Sequence, residues 1–286
     1  MNSLGGSVAK QYFETAAKKV EGLTPREMAQ RRIDALNREH DYQDKTEYDC
    51  KLCDNRGWTA QLSERNGYFY EQCPECRCMG IRRSIWRMKQ SGLEKTIREK
   101  TFDRFTATEP WQRTMLDLAR RYVSEGIGAG YWFFAGGQPG SGKTHLCTAI
   151  ARQILYDRPL YYMVWDTESK RLKAIVNEVE DYAREMDKLK SIEVLYIDDL
   201  FKPVPDEKTG GKKLPTGPDV KLAFEIINYR SINKLPTIVS SEWFMNELAD
   251  IDEATASRIA EFAGPYQLTI GRDRAKNHRF SNQTVL

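Results

Sequence analysis

Tyr131-Trp-Phe-Phe-Ala135, then Gly137-Gln-Pro-Gly-Ser-Gly-Lys-Thr144, then His145-Leu-Cys-Thr-Ala-Ile-Ala-Arg-Gln-Ile-Leu-Tyr156, is the stretch that decides the fold. The first piece is a continuous apolar run and reads as a buried strand. The last carries Leu146, Ile150 and Ile154 at helical spacing. Between them, Gly137, Gln138, Pro139, Gly140, Ser141, Gly142, Lys143 and Thr144 match G-x-x-x-x-G-K-[ST], the loop that wraps nucleotide phosphates, with His145 directly after. Gly140 and Gly142 let main-chain N–H groups converge on phosphate oxygens with no Cβ in the way. Lys143 supplies a cation for the β- and γ-phosphates, and the Thr144 hydroxyl is suited to ligate magnesium. The expected ligand is ATP with Mg2+.

Composition fits a globular chain of one large and one smaller domain. It has 286 residues, 40% apolar and 30% charged, with a net charge of +3 and a mean hydropathy of -0.64. No window approaches the roughly 18 consecutive apolar residues of a membrane span. Residues 1–19 lack the apolar core of a secretory signal, so a cytoplasmic protein with no membrane partner is expected. The small net charge does not by itself indicate nucleic acid. Arg82, Arg83, Arg87, Lys89, Lys95 and Arg98 nevertheless outnumber the acids around them.

Helices are expected over 8–20 and 25–40, the second opened by Thr24, Pro25 and Glu27 as cap, first residue and capping-box partner. Ile81–Gln90 reads as a basic helix, 94–105 as a link between domains, and 111–124 as a helix. Beyond the phosphate loop the pattern alternates. Strands are expected at 160–165, 194–197, 236–240 and 266–270, and helices at 169–189, 220–233 and 254–262. Residues 202–218, rich in Gly, Pro and Lys, read as a long loop. Such alternation implies a parallel sheet covered on both faces. The domain boundaries drawn on this basis are 1–92, 93–108 and 109–286.

Five of the six cysteines lie between Cys50 and Cys78. Cys50-x2-Cys53 and Cys73-x2-Cys76, nineteen residues apart, have the spacing of a tetrahedral zinc site built from two knuckles. Cys78 offers a different second pair, so Cys50, Cys53 and Cys76 are the firm Zn2+ ligands and the fourth is Cys73 or Cys78. Four protein ligands make a structural centre, whose metal would supply folding energy to a short polar segment. Cys147 reads as a core residue.

Val194-Leu-Tyr-Ile-Asp198-Asp199 is an apolar strand ending in two acids. With the phosphate loop upstream, Asp198 would hold Mg2+ through water, together with Thr144. Asp199 would orient or deprotonate the attacking water. Its short side chain, where many such ATPases carry Glu, points to slow hydrolysis.

Leu195-Tyr-Ile-Asp-Asp-Leu-Phe-Lys202, Phe224-Glu-Ile-Ile-Asn-Tyr-Arg230 and Leu235-Pro-Thr-Ile-Val-Ser-Ser-Glu242 closely resemble AAA+ replicative helicase loaders of the DnaC/DnaI type. The likeness is to the versions in Gram-positive bacteria, their phages and mobile elements. It extends through Ser91-Gly-Leu93, Thr101-Phe-Asp-Arg-Phe105 and the cysteine block, about residues 48–286.

The resemblance implies an α/β fold: an AAA+ P-loop core with a parallel sheet and no C-terminal helical lid. A small helical, zinc-binding N-terminal domain that grips the hexameric replicative helicase would precede it. It further implies single-stranded DNA as partner and a homo-oligomer on ATP and DNA. By the same likeness, Cys76-Arg-Cys78-Met79 favours Cys78 over Cys73, Ser241 is the sensor at the strand end, and Arg258 is the arginine finger that completes a neighbour's site. Lys170, Arg171, Lys173, Lys202, Lys212 and Lys213 are candidates for tracking a phosphate backbone, and Tyr161, Tyr162 or Trp165 for stacking bases. A transposition helper ATPase of the same fold, or an ATP-binding adaptor that does not hydrolyse, are the rival readings. The zinc domain argues against the first.

Overall fold

The computed structural model describes residues 22–38, 48–206 and 211–279. The helix expected at 8–20, and His40 as a substitute metal ligand, lie outside these residues. The chain divides into two compact units, residues 1–82 and 83–286.

In the first unit, helix α1 (Pro25–Leu36) starts where the capping box placed it. Thr24 accepts from the Glu27 amide, and the Glu27 side chain reaches back to the cap. A hairpin of β1 (Gln61–Arg65) and β2 (Tyr68–Gln72) pairs antiparallel with Ser63 opposite Tyr70. Asn37, at the end of α1, binds both the N–H and the C=O of Ala60, at 3.0 and 3.1 Å. Arg56, nearly buried, donates to Leu36 O at 2.9 Å. Helix α2 (Cys78–Gln90) begins in this unit, and the division between units falls inside it.

The second unit opens with α3 (Glu94–Glu99) and α4 (Pro110–Arg121). Residues expected as a link are in fact helical at 94–99 and bonded to the body of this unit. Arg152 donates to Ile97 O at 3.2 Å, and the His145 ring meets Thr101 O at 2.8 Å. The sheet then alternates with helices: β3 (Phe133–Gly137), α5 (Lys143–Leu155), β4 (Leu160–Val164), α6 (Trp165–Ala174), α7 (Val179–Ser191), β5 (Val194–Asp198). There follow the short hairpin β6 (Val204–Pro205) and β7 (Lys212–Lys213), α8 (Gly217–Ile232), β8 (Thr237–Ser240), α9 (Met245–Ile251), α10 (Glu253–Ala263) and β9 (Gln267–Ile270).

The five strands lie in the order β4-β5-β8-β3-β9, all parallel. Strands buried on both faces need continuous apolar runs, and β3 and β5 are buried at every position. Trp132, Phe134, Leu195, Ile197 and Val239 pack with Ile226, Ile227 and Ile259 in one core. This is a mixed α/β fold with a parallel-sheet core, as expected.

Two expectations are corrected. The helix read over 169–189 is two helices, because the chain leaves helical geometry at Ile175 (φ -102°, ψ 11°) and re-enters after Glu178. The loop expected at 202–218 carries the β6–β7 hairpin. Arg230 explains part of the string that ends in it. Fully buried, it donates to the carbonyls of Leu189, Lys190, Ile192, Glu193 and Pro236 and to the Thr237 hydroxyl. It thereby ties the ends of α7, α8, β5 and β8, and desolvation pulls its pKa down to about 9.

Candidate functional site

The loop 137–144 joins the carboxyl end of β3 to α5, where ligands of open parallel sheets bind. Gly142 caps α5 at φ +95°, a left-handed conformation that leaves the first-turn N–H groups of the helix open toward the loop. A Cβ at Gly140 (φ +73°) would fall on the end of the Asn277 side chain and displace it, in a backbone conformation that favours glycine. Lys143 is 5% exposed, and its Nζ donates to Gly137 O and Gln138 O at 2.8 and 2.7 Å. Burial drives its pKa down to about 8, opposed by the charges of Glu242 and Asp199. The ammonium is thus held inside the loop with only neutral carbonyls as partners. An anion arriving there would meet a desolvated cation and a ring of N–H donors.

Asp198 ends β5 beside this loop, buried, and takes four hydroxyl hydrogen bonds. Thr144, Tyr196 and Ser240 donate to Oδ1 at 3.1, 2.8 and 2.6 Å, and Tyr162 donates to Oδ2 at 2.7 Å. Burial, then the Asp198 charge, pushes both phenols' pKa values up, so they stay donors. The Thr144–Asp198 contact brings together two residues expected to share a magnesium ion. A carboxylate beside an oxygen-rich, anion-ready loop suits a hard divalent cation held through water. Asp199 sits at φ +58°, and its carboxylate pairs with Lys202 at 2.8 Å.

The hydroxyl at the end of β8 needs correcting. Ser241, expected as the sensor, donates to Leu200 O at 2.8 Å and accepts from the Trp243 amide at 3.2 Å, so it braces the turn. Ser240 faces Asp198 instead and also accepts from the Asp199 amide at 3.0 Å. One residue along a strand reverses the face, and the serine pair hides which of the two looks inward. Tyr196 and Ser240 thus join the candidate site without having been named from the sequence, and Tyr162, named there for base stacking, turns its hydroxyl to Asp198 instead.

It also missed the segment after β9. The Asp273 amide donates to Gln138 Oε1 at 3.1 Å and the His278 amide to Gly140 O at 3.1 Å. The His278 ring stacks on Trp111 with centroids 6.0 Å apart. Phe105 sets its ring edge-on to His145, 5.4 Å between centroids, and close against Gly142.

Arg258, on α10, donates to Asn228 Oδ1 at 3.0 Å and to Ala254 O at 2.8 Å, and lies over the Phe224 ring. Of the lysines and arginine named for a phosphate backbone, most are paired. Lys170 binds Asp166, Arg171 binds Glu168 and Glu185, Lys173 binds Asp219, and Lys212 binds Glu247. Tyr162 and Trp165, named for base stacking, are core residues.

In the first unit, the Sγ atoms of Cys50, Cys53, Cys76 and Cys78 all lie within 4.8 Å of one another and are buried. Cys50 and Cys76 are 3.9 Å apart, Cys53 and Cys78 3.5 Å. Tetrahedral zinc with Zn–S near 2.3 Å sets sulfurs about 3.8 Å apart, so the donor set fits. Cys73 is exposed, at the end of the hairpin, and stands outside the cluster. The shell is ordered by the Gly57 amide donating to Cys53 Sγ (3.3 Å) and the Cys50 amide to Asn55 Oδ1 (2.8 Å). Arg82 also holds Asn55, at 2.8 Å.

No protein-family model matches the chain. It is 30% identical over 250 residues to the phage-like element PBSX protein XkdC of Bacillus subtilis, covering 82% of this chain and 88% of that protein. It is 38% identical over 149 residues to the uncharacterized protein YqaM of the same organism, covering 51% of this chain but only 45% of YqaM. The replicative helicase loader DnaC of Escherichia coli is 25% identical over 179 residues, 62% of this chain and 68% of DnaC. A crystal structure of the DnaC helicase loader superposes with a TM-score of 0.52 at 23% identity, covering 62% of this chain and 99% of that one. The fold is thus of the type found in DnaC. No helix among the described residues is long and apolar enough to cross a membrane.

Proposed function

This chain belongs to the family of the PBSX protein XkdC, and from the geometry of its glycine loop and its similarity to the loader DnaC we propose that it is an ATP-dependent loader of a hexameric replicative helicase onto single-stranded DNA. The observation that carries the nucleotide part is Lys143, buried inside a glycine loop with only main-chain carbonyls as hydrogen-bond partners, next to the Thr144–Asp198 pair. The similarity to the loader DnaC supports the helicase and DNA as partners.

In this reading the loop amides and Lys143 bind the β- and γ-phosphates. Thr144 and Asp198 would hold Mg2+, which would supply positive charge to the transferring phosphoryl group. Tyr162, Tyr196 and Ser240 fix the Asp198 carboxylate in one orientation. Asp199 receives the proton of the attacking water once it is freed from Lys202. Arg258 reaches the γ-phosphate of a neighbouring copy, which requires a head-to-tail homo-oligomer. Zn2+ held by Cys50, Cys53, Cys76 and Cys78 stabilises the N-terminal domain, residues 1–92, which grips the helicase.

The test is turnover. Lys143→Ala is expected to lower ATP hydrolysis by about 10²-fold or more, since it removes a preorganised charge from the transferring phosphoryl group. A second reading, an ATP-binding adaptor without turnover, draws on the Asp199–Lys202 ion pair, which occupies the base. Measuring Lys143→Ala and Asp199→Asn beside the parent separates the two: equal, background turnover in all three favours the adaptor.

Ser240 and Ser241 give a further expected contrast. Ser240→Ala should raise the Mg2+ concentration for half-maximal ATP binding several-fold, because Asp198 loses one orienting donor worth about 1 kcal/mol. Ser241→Ala should leave that concentration unchanged and lower the melting temperature only. Magnesium titrations of nucleotide binding in the two variants read this out, and the reverse ranking would restore Ser241 as the sensor.

A further inference from the structure

We propose that the outer edge of β4 is a docking site for an extended, acidic segment of a partner protein, which adds to the sheet as a sixth strand. β4 ends the sheet and pairs only with β5. Val194 N–H donates to Pro159 O at 3.1 Å, so Pro159, Tyr161 and Met163 turn their main-chain groups toward β5. Leu160, Tyr162 and Val164 then turn theirs outward, because successive residues alternate. Leu160 N–H is taken by Ser84 Oγ at 3.1 Å. The Leu160 carbonyl, both main-chain groups of Tyr162 and the Val164 amide have no partner among the described residues. Tyr162 is only 7% exposed, and main-chain groups so placed are costly to leave unpaired.

Edge strands are normally guarded by charge, proline or a covering element. Leu160-Tyr-Tyr-Met-Val164 contains neither charge nor proline. The end of α2 and the turn after it stand off from the strand and leave a groove of about 570 Å³. Trp86 (56% exposed), Met88, Leu93 and Tyr161 give it an apolar lining. This is the arrangement of strand addition, with main-chain bonds for affinity and side-chain pockets for alternate residues.

Charge selects the occupant. Arg171 in the groove is satisfied by Glu168 and Glu185, both at 2.9 Å. Arg87 lies over the Tyr161 ring, 5.6 Å from its centroid, with no carboxylate within salt-bridge distance among the described residues. Among the described lining residues Arg87 is the charged side chain that makes no ion pair, with Glu185 acting on it only at longer range, and its free guanidinium favours an acidic side chain. A nucleic acid fits less well. Its phosphates could take the N–H groups, but would face the outward carbonyls of Leu160 and Tyr162, whereas a peptide strand offers donors and acceptors in alternation.

The experiment uses the full chain and a fluorescein-labelled octapeptide of alternating valine and glutamate, capped at both ends, followed by anisotropy. Saturable binding is expected. It should weaken at least tenfold, about 1.4 kcal/mol, when the glutamates become lysines or when alternate peptide amides are N-methylated. Val164→Pro removes one outward N–H at a position whose φ of -78° already suits proline. It should weaken binding by a similar factor while ATP binding stays at the parent level. Arg87→Ala should remove the preference for glutamate over lysine. No saturable binding, or binding indifferent to N-methylation, overturns the proposal even if Val164→Pro proves unstable. Displacement of the peptide by oligo-dT reassigns the groove to nucleic acid. Concentration-dependent dimerisation that the peptide abolishes reassigns it to a second copy. Either result also overturns the proposal.

Discussion

Stripping the metal from the first unit should unfold it while the second unit keeps its nucleotide. The four clustered, buried cysteine sulfurs stand at the centre of this region. Apart from them, the described residues of this unit hold one short helix packed by Ala29 and Ile33, the first turn of α2 with Ile81, and a hairpin with no fully buried position. Structural zinc in sites of this kind contributes on the order of 10–16 kcal/mol of binding free energy that is also folding free energy, far more than so small a core provides. Prolonged chelation, or Cys53→Ser with Cys78→Ser, is therefore expected to remove one calorimetric transition, with release of one zinc per chain measured by mass spectrometry. Cys73→Ser should leave zinc content and melting unchanged, because its thiol is exposed and outside the cluster. A zinc-free chain with an unaltered melting profile would contradict the assignment.

The second large effect concerns Arg258. If it completes a neighbour's site, Arg258→Ala should keep ATP affinity within about twofold, since among the described residues its guanidinium meets Asn228, Ala254 and Phe224 and no part of its own loop. Turnover should fall about 10³-fold, the scale on which such arginines act on phosphoryl transfer. Mixing separates a role in trans from a local one. Lys143→Ala chains lack a working loop but retain Arg258, so adding them to Arg258→Ala chains should restore part of the turnover. No recovery on mixing, with both variants folded, would place Arg258 as a brace between α8 and α10 only.

The sheet was legible in the sequence because its strands are buried on both faces and so appear as unbroken apolar runs. Val194–Asp198 and Leu160–Val164 fall within a residue of where those runs stand. β3 starts two residues later than its aromatic run, since Tyr131 and Trp132 precede the ladder. Helix α9 was not foreseen: seven residues carry too little periodicity to stand out. The split between α6 and α7 was hidden because Ile175 and Val176 continue an apolar spacing that the backbone abandons.

The site divided along similar lines. The glycine loop, Asp198 and three of the clustered cysteines follow local spacing and could be proposed from it. The fourth cysteine of the cluster could not be chosen by spacing, because the hairpin that turns Cys73 outward is a tertiary feature. The hydroxyls of Tyr162, Tyr196 and Ser240 come from three strands and meet only when the sheet forms. The segment 273–278 reaches the loop only through the last parallel strand.

The most direct test of the central claim is calorimetric titration of the full chain with ATP in the presence of magnesium, alongside Lys143→Ala. The expected result is one saturable site per chain in the parent, weakened at least tenfold in the variant and dependent on magnesium. A folded parent that takes up no nucleotide, or a variant that binds as well as the parent, would contradict it.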